Sequence, residues 1–257
     1  MRTRLSIIPL LFTLVAPASG QSLEGLGGPV AEADLLYTAG EPLLAYERLL
    51  ELLGDDPTNY DVLWRVARAG VAVGVGREGT RAQNPYLDTA LHFGRIAVEQ
   101  RPDGVLGIYW RAAAAGRRAL NAGPRYSLEL AQLVYDDAHT LLQMDSLHAG
   151  AHNMLGKLNF EVMILSRVQR FIARVWYGSD TVGQMSWANA EAHLTRATEL
   201  EPDNVLYLYD LGHFYHRRGR HEEAAAALSR ALELPASQPV DPMLQEWASA
   251  LLEPDRG

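Results

Sequence analysis

The sequence predicts an all-α protein, a right-handed solenoid of antiparallel helix pairs with an inserted helix and a C-terminal capping helix. Two observations carry this prediction. Four segments repeat one pattern, in which a helical stripe of apolar residues ends at a stop and a second helical stripe follows. Small residues also recur in register, which lets paired helices approach closely. They are Ala67, Ala112, Gly156 and Gly212 on one helix of each pair, and Ala45, Ala90, Ala190 and Ala224 on the other.

Residues 1–20 precede the fold and have the pattern of a secretory signal peptide. Two arginines are followed by an apolar run over 5–15, and small residues permit cleavage after Ala18 or Gly20. The run is too short to span a bilayer, which needs about 20 apolar residues. The chain has no cysteine to carry a lipid after the signal. We therefore expect a soluble exported protein, periplasmic or secreted, with a flexible mature N-terminus over 21–29.

The last repeat is the most regular of the four. It resembles the tetratricopeptide repeat, a helix–turn–helix unit of 34 residues. The residues that carry the resemblance are Leu208, Leu211, Gly212, Tyr215, Gly219, Ala224, Leu228 and Ala231. The resemblance implies stacked helix pairs that bend into a superhelix with a concave face lined by the first helix of each pair.

The solenoid is expected over 30–235, with about five helix pairs and a short first helix from about Val30 to Ala39. Successive stops are 45, 44 and 56 residues apart, so every unit exceeds the 34-residue repeat. The stops are Pro57, Pro102, Ser146 and Pro202. We place the extra residues between the two helices of a unit, as insertions at about 75–84, 121–125 and 166–186.

Residues 236–257 predict a C-terminal capping helix and a short tail. Asp241 is a favourable N-cap residue, and Pro242 suits the first helical turn. End repeats of a solenoid need such a cover. The residues expected to cover the last unit are Leu244, Trp247, Leu251 and Leu252.

The stretch Gly74-Val-Gly-Arg-Glu-Gly79 fits the G-x-G-x-x-G spacing of a dinucleotide-binding loop. That loop needs a strand before it and a helix after it. The preceding LWRVARAGVAV is a helical stripe, so the spacing does not indicate a nucleotide site. We interpret Gly40, Gly74 and Gly219 instead as glycines that close the first helix of a unit in the left-handed conformation.

A narrower resemblance emerges from short motifs along the chain. They are Val62–Ala69, Tyr109-Trp110, His152–Gly156, Phe160–Val162, Ile172–Gly178 and Ser186–Ala192. Together they resemble the regulator of microtubule dynamics family over roughly Ala33 to Leu252, with Leu158 where the family usually has an aromatic residue. The resemblance implies an all-helical repeat fold without catalytic residues. The family's eukaryotic members act at organelle membranes and microtubules; for an exported chain only the scaffold, and a habit of binding partners near membranes, carries over.

Composition and motifs argue against an enzyme, a cofactor or a nucleic-acid partner. The formal net charge is −8, whereas a nucleic-acid surface needs a basic footprint. No serine lies in a G-x-S-x-G elbow, and the chain has no cysteine nucleophile. His148 and His152 are spaced for a metal, but alanine stands where a zinc hydrolase needs glutamate. We favour a helix start with His152 packed on a neighbouring helix, and keep a structural metal as the alternative.

The concave face is the expected binding surface. Counting from the small residue of each first helix places aromatic, amide and cationic side chains there, a mixture that suits an extended peptide. Packing between units is the alternative role for some of the rings. The candidate groove residues are Trp64, Arg68, Tyr109, Asn153, Lys157, Phe160, Tyr209 and His213.

The insertion at 166–186 offers a second candidate surface. Arg167, Arg170 and Arg174 gather beside an apolar helical stripe, as in helices that lie on anionic membranes. The stripe can equally cover the solenoid's core, which we favour. The expected function is a non-catalytic exported scaffold or adaptor that binds a protein or peptide in the groove. The alternative is a carrier of lipid or another apolar small molecule near a membrane, with the inserted helix as a lid.

Overall fold

The structure is a computed structural model, and it describes residues 28–166, 169–171 and 180–253. Short loops join the described helices, four of which begin at a capping side chain. Asn59, Ser186 and Asn204 each accept a hydrogen bond from a backbone N–H of the first turn. The helices are α1 (Pro29–Thr38), α2 (Pro42–Asp55), α3 (Tyr60–Val75), α4 (Thr80–Gln100), α5 (Val105–Leu120), α6 (Pro124–Met144), α7 (Ala149–Ile164), α8 (Asp180–Gln184), α9 (Trp187–Leu200), α10 (Val205–Arg217), α11 (His221–Glu233) and α12 (Asp241–Leu252).

Helix pairs stack into a solenoid, as the sequence predicts. In the described part of the chain the pairs are α1 with α2, α3 with α4, α5 with α6, α7 with α9, and α10 with α11. The first helices also contact one another, α3 with α5, α5 with α7, and α7 with α10. They form the inner, concave layer, and the second helices form the outer layer.

The small residues recurring in register mark the closest helix contacts. A Cβ added at Gly156 of α7 would lie 2.8 Å from the backbone nitrogen of Leu194 on α9. Gly94 of α4 lies outside that register but makes an equally close contact, because an added Cβ would lie 2.8 Å from the Cα of Arg111 on α5. Neither neighbour can yield, because both atoms belong to the backbone. Small residues therefore stand at positions where two helix backbones come close.

The glycine interpretation is right for two positions and wrong for the third. Gly40 and Gly219 have φ values of 84° and 72°, and they end α1 and α10 in the left-handed conformation. Gly74 lies inside α3, where an added Cβ would be 2.9 Å from Leu87. The chain turns instead at Gly79, with φ 78°, just before α4. A helix precedes the loop, so the strand that a dinucleotide site requires is absent from this described stretch.

The extra residues of the early units mostly lengthen helices. Only four residues, 76–79, separate α3 from α4, and the outer helices α4 and α6 each run for 21 residues. The insertion at 166–186 is described in part. Within it Val182 and Met185 are buried against Val162 of α7 and Leu128 and Tyr135 of α6. Val182 and Met185 thus cover α6 and α7, whereas Phe171, the one residue of the insertion's apolar stripe that the structure describes, is 64% exposed.

The C-terminal helix α12 packs on α10 and α11 and covers the last unit. Leu244 and Ala248 are fully buried, and the Gln245 side-chain amide donates to the free carbonyls of Ala231 and Leu234 at the end of α11. Asp241 is not the N-cap that the sequence predicts. It is the first helical residue, and its carboxylate accepts from the backbone N–H groups of the preceding turn at 237–238.

The two ends of the solenoid meet. Val240, just before α12, packs against the apolar cluster of the first unit, which contains Ala33 and Tyr37. It also packs against the last cluster, which contains Val205 and Leu244. The C-terminal segment therefore connects the first and last units of the solenoid. Among the described helices none is both long and apolar enough to cross a membrane.

Candidate functional site

A buried carboxylate organises the inner face between α7 and α10. Asp210 is only 4% exposed. Its Oδ1 lies 2.9 Å from the Lys157 ammonium, and its Oδ2 accepts a hydrogen bond of 3.0 Å from the Asn153 amide. Lys157 also lies 3.5 Å from Glu161. The structure thus brings two of the predicted groove residues together around a third residue that the sequence analysis did not single out.

The charges of this cluster hold each other ionised. Burial alone would raise the pKa of Asp210, but Lys157, the more distant Arg117 and the Asn153 hydrogen bond together lower it. Burial would lower the pKa of Lys157, but Asp210 and Glu161 outweigh that effect and raise it. At neutral pH the pair is therefore an ammonium and a carboxylate.

His213 and Tyr209 continue the cluster along α10. The His213 ring packs edge-on to Phe160, with centroids 5.1 Å apart, and lies 5.9 Å from the Tyr209 ring. Burial, with a contribution from Lys157, lowers the pKa of His213 to about 4. The imidazole is neutral at pH 7. On its far side, Tyr209 lies 5.9 Å from Trp247 of α12. We call Asn153, Lys157, Tyr209, Asp210 and His213 the inner polar site.

Phe160 and Trp64 do not face the groove, and their assignment to it is wrong. Phe160 is 0% exposed and packs against Trp187 of α9 and Phe214 of α10. Trp64 is 6% exposed, because Arg65 and Arg68 of its own helix lie over its ring. Both rings belong to the core.

Arg68 serves the first unit. Its guanidinium forms an ion pair with Asp34 of α1 and stacks on Tyr37 at 4.0 Å. Arg65 shares the same carboxylate at 2.9 Å. The charge of Arg68 is therefore already matched, and it lies in the first unit rather than in the inner polar site.

Tyr109 joins three inner helices. Its ring stacks on His148, at the start of α7, with centroids 5.7 Å apart, and meets Trp110 edge-on at 5.0 Å. Its side chain also interacts with that of Tyr207 on α10. Burial raises the pKa of Tyr109 to about 12, so its hydroxyl stays protonated. Tyr109 packs between units, which was the alternative role kept open for the rings.

Unpaired polar atoms cluster on predicted groove residues. Four buried side-chain nitrogen or oxygen atoms lack a hydrogen-bond partner within the described residues. They are Arg68 Nε, Asn84 Oδ1, Asn153 Oδ1 and His213 Nδ1. Buried polar groups are normally paired, and an unpaired one calls for an explanation such as a water or a ligand. Two of the four lie in the inner polar site.

The two spaced histidines have structural roles. His148 caps α7, its Nδ1 accepting from the Ala151 N–H at 3.1 Å. His152 Nδ1 lies 2.9 Å from His193 Nδ1 on α9, as the packing interpretation expects. Burial and the neighbouring His152 lower the pKa of His193 to about 4. Over the described ranges no three histidine or acidic side chains are grouped to hold a metal ion.

The arginine face of the insertion is described at one residue. Arg167 and Arg174 lie outside the described residues. Arg170 donates hydrogen bonds to the carbonyls of Met163, at 2.9 Å, and Leu165. These carbonyls belong to the C-terminal end of α7, where a cation is favoured. Its guanidinium is thus engaged within the protein.

Sequence reasoning missed Asp210, Arg117 and Trp247. Asp210 had a signal, since it is the only charged residue in the apolar stripe 205–212. Arg117 had another, because it follows Tyr109 and Ala113 at four-residue spacing on α5. Trp247 was expected only as a cover, and its position across the concave face follows from the closing of the superhelix.

Stacked helix pairs with close-packed small residues and a C-terminal cap define a tetratricopeptide-type solenoid. Among solved structures, TTC0263, a thermophilic protein of this class from Thermus thermophilus, matches 87% of this chain over 97% of its own, with 20% identity and a TM-score of 0.62. MamA from Desulfovibrio magneticus is 15% identical over 82% of this chain and 97% of its own, with a TM-score of 0.46. The likeness to TTC0263 supports the fold.

The sequence model described as regulator of microtubule dynamics protein 1-3 matches residues 30–254, so the chain belongs to this family. This confirms the resemblance carried by the short motifs. No curated protein matches the chain in sequence.

Proposed function

We propose that the protein is a non-catalytic scaffold that binds a segment of a partner protein on its concave face, at the inner polar site. The observation that carries this proposal is the pair of unpaired atoms, Asn153 Oδ1 and His213 Nδ1, beside the Lys157–Asp210 ion pair. A polypeptide backbone offers N–H donors and C=O acceptors at short intervals. Both atoms are buried, so such a segment would give them the partners that they lack only after the Asn153 and His213 side chains rotate toward it.

The surroundings of the unpaired atoms suit a peptide. Tyr209 and Trp247 present partly exposed rings beside them, and aromatic rings are common anchors in protein interfaces. Lys157 and Asp210 already neutralise each other, so the site is polar without a strong charge. The same pairing supports a non-catalytic role, because neither group is free to act as a base or a nucleophile.

The alternative, a carrier of lipid or an apolar small molecule, receives less support. A cleft beside Trp247 has a volume of about 180 Å³. An engineered cavity of about 150 Å³ holds one benzene ring. The cleft therefore suits one side chain rather than an acyl chain. Arg170, one of three arginines that suggested a membrane face, is bonded to the carbonyls of Met163 and Leu165.

Cross-linking followed by mass spectrometry tests the proposal. The mature protein, residues 21–257, would be cross-linked in an extract of its own compartment beside two variants. The Tyr209→Ala, His213→Ala double variant alters the inner polar site, and His221→Ala alters an exposed histidine at the start of α11. We expect a partner captured by the wild type and by the control, and lost in the double variant. Equal capture by all three would place the site elsewhere, and capture by none would refute a protein partner.

We also propose that residues 1–20 direct export, on the strength of their pattern alone. The intact mass of the protein purified from the periplasm or medium would then correspond to a chain that begins at Ser19 or Gln21, after cleavage at Ala18 or Gly20. A mass that includes Met1 in the cytoplasmic fraction would contradict export.

A further inference from the structure

A cleft opens where the ends of α3 and α5 and the start of α4 meet the C-terminal helix α12. It is about 180 Å³ in volume and open to solvent. Its lining combines apolar and polar side chains. The lining residues are Val75, Gln83, Leu87, Arg117, Leu120, Asn121 and Trp247.

Arg117 supplies a cation that the protein leaves unpaired. It makes no hydrogen bond and no ion pair within the described residues, although its charge acts on the more distant Asp210, which Lys157 already pairs. Its sequence neighbour Arg118 differs, since it bonds to Asp88 at 2.6 Å and to the Asn121 carbonyl at 3.1 Å. Arg111, on the same helix, is paired with Asp137. A partly buried guanidinium with free donors, in a protein whose formal net charge is −8, is suited to an anion.

The polar groups beside Arg117 are already engaged. The Asn121 side-chain amide donates to Gln83 Oε1 at 2.7 Å, and Gln83 donates in turn to the Arg77 carbonyl at 2.8 Å. Among these polar lining residues, the Arg117 guanidinium is thus the group whose donors are free. The carboxylate of an acidic ligand would therefore bind to Arg117.

The apolar part of the cleft lining is partly exposed to solvent. Leu120 is 53% exposed and Trp247 is 37% exposed, although both line the cleft. The volume matches one leucine or phenylalanine side chain, since a cavity of about 150 Å³ takes a benzene ring. The cleft thus combines a single cation with space for a single apolar group.

We propose that this cleft binds the C-terminal residue of the partner polypeptide, with its carboxylate on Arg117 and its apolar or aromatic side chain against Leu120 and Trp247. The inference rests on the proposed function, and it names the end of the partner that enters the protein. A peptide is favoured over a free acid because the Trp247 ring lies 5.9 Å from Tyr209 of the inner polar site. The chain leaving the cleft would pass the unpaired atoms of Asn153 and His213.

Arrays of random peptides provide the test. One array carries free C-termini, and a matched array carries the same sequences as C-terminal amides. Each is probed with the mature wild type, with Arg117→Gln and Trp247→Ala, and with Arg125→Gln, whose side chain is 81% exposed on α6. Circular dichroism verifies that each variant is folded. Titration with 3-phenylpropionate, an apolar monocarboxylate, tests for binding of a free acid.

We expect bound peptides to share an apolar or aromatic last residue. Amidation or Arg117→Gln should weaken their binding at least about tenfold, as loss of a charged hydrogen bond does, while Arg125→Gln leaves it unchanged. Peptides that bind equally well when amidated would overturn the inference and leave the proposed function standing. If only 3-phenylpropionate binds, in a manner that needs Arg117, the cleft takes a free acid and the peptide assignment is wrong. Binding of no probe would overturn both.

Discussion

The side-chain ammonium of Lys157 on α7 lies 2.9 Å from the carboxylate of Asp210 on α10. The second carboxylate oxygen accepts from Asn153, so two successive inner helices are joined by one polar cluster. Breaking a buried pair leaves a charge without compensation, which costs more than the pair itself contributes. The inner polar site is therefore a structural joint as well as a candidate binding surface.

Removing the carboxylate should be strongly destabilising. We expect Asp210→Ala to lower the free energy of unfolding by about 3–5 kcal/mol, because Asn153 loses its acceptor and Lys157 keeps only the longer contact with Glu161. Urea denaturation followed by circular dichroism measures it. Arg125→Ala, which breaks the exposed pair with Glu129, should cost less than about 1 kcal/mol. Similar losses in the two variants would show that the Asp210 pair is no more important than a surface one.

Truncation of the two core rings should unfold the protein before it affects a partner. Phe160→Ala and Trp64→Ala should each cost about 3–5 kcal/mol, the range for large aromatic side chains removed from a core. Tyr209→Ala, on a partly exposed ring, should cost less. Thermal melts of the three variants decide the order. A Trp64→Ala variant as stable as the wild type would return Trp64 to the list of surface candidates.

Two glycine-to-alanine substitutions should have opposite signs. Gly94→Ala places a methyl group 2.8 Å from the Arg111 backbone and should destabilise by about 1–3 kcal/mol. Gly54→Ala, in α2 with nothing within 4 Å of its added Cβ, should stabilise by about 0.4–1 kcal/mol. Denaturant midpoints measure both. Equal effects would contradict the close approach of α4 to α5.

Stability should fall as the pH drops from about 6.5 to 4. His193 and His213 have folded-state pKa values lowered from 6.5 to about 4, so in this range the unfolded chain binds more protons. Each histidine then costs roughly 1–3 kcal/mol at pH 4, a loss that is absent above pH 7. The free energy of unfolding, measured by denaturation at several pH values in this range, should depend less on pH in the His193→Asn, His213→Asn double variant. His92→Asn, at an exposed position, should leave the slope unchanged.

The helix pairing could be predicted well from the sequence because a close approach of two helix backbones restricts the residue type at the point of contact. A small residue is needed where two helix backbones come very close, as at Gly156, and its recurrence is visible without the structure. The facing of single side chains was less predictable. Counting from Gly156 placed Lys157 and Phe160 on one face, but Trp187 of the outer helix and Phe214 of the next unit enclose the Phe160 ring. Such enclosure depends on helix crossing, which spacing does not reveal.

The meeting of the two ends at Val240 changes how the protein should fold. In an open array of repeats each unit touches only its neighbours, and the terminal units fray first. Here Ala33 and Val240, at opposite ends of the chain, share one apolar cluster, so the first unit depends on the last. Contacts of such sequence separation slow folding. Deleting residues 240–257 should accordingly speed amide hydrogen exchange in α1 as well as in α11, because both end units lose their contact with Val240.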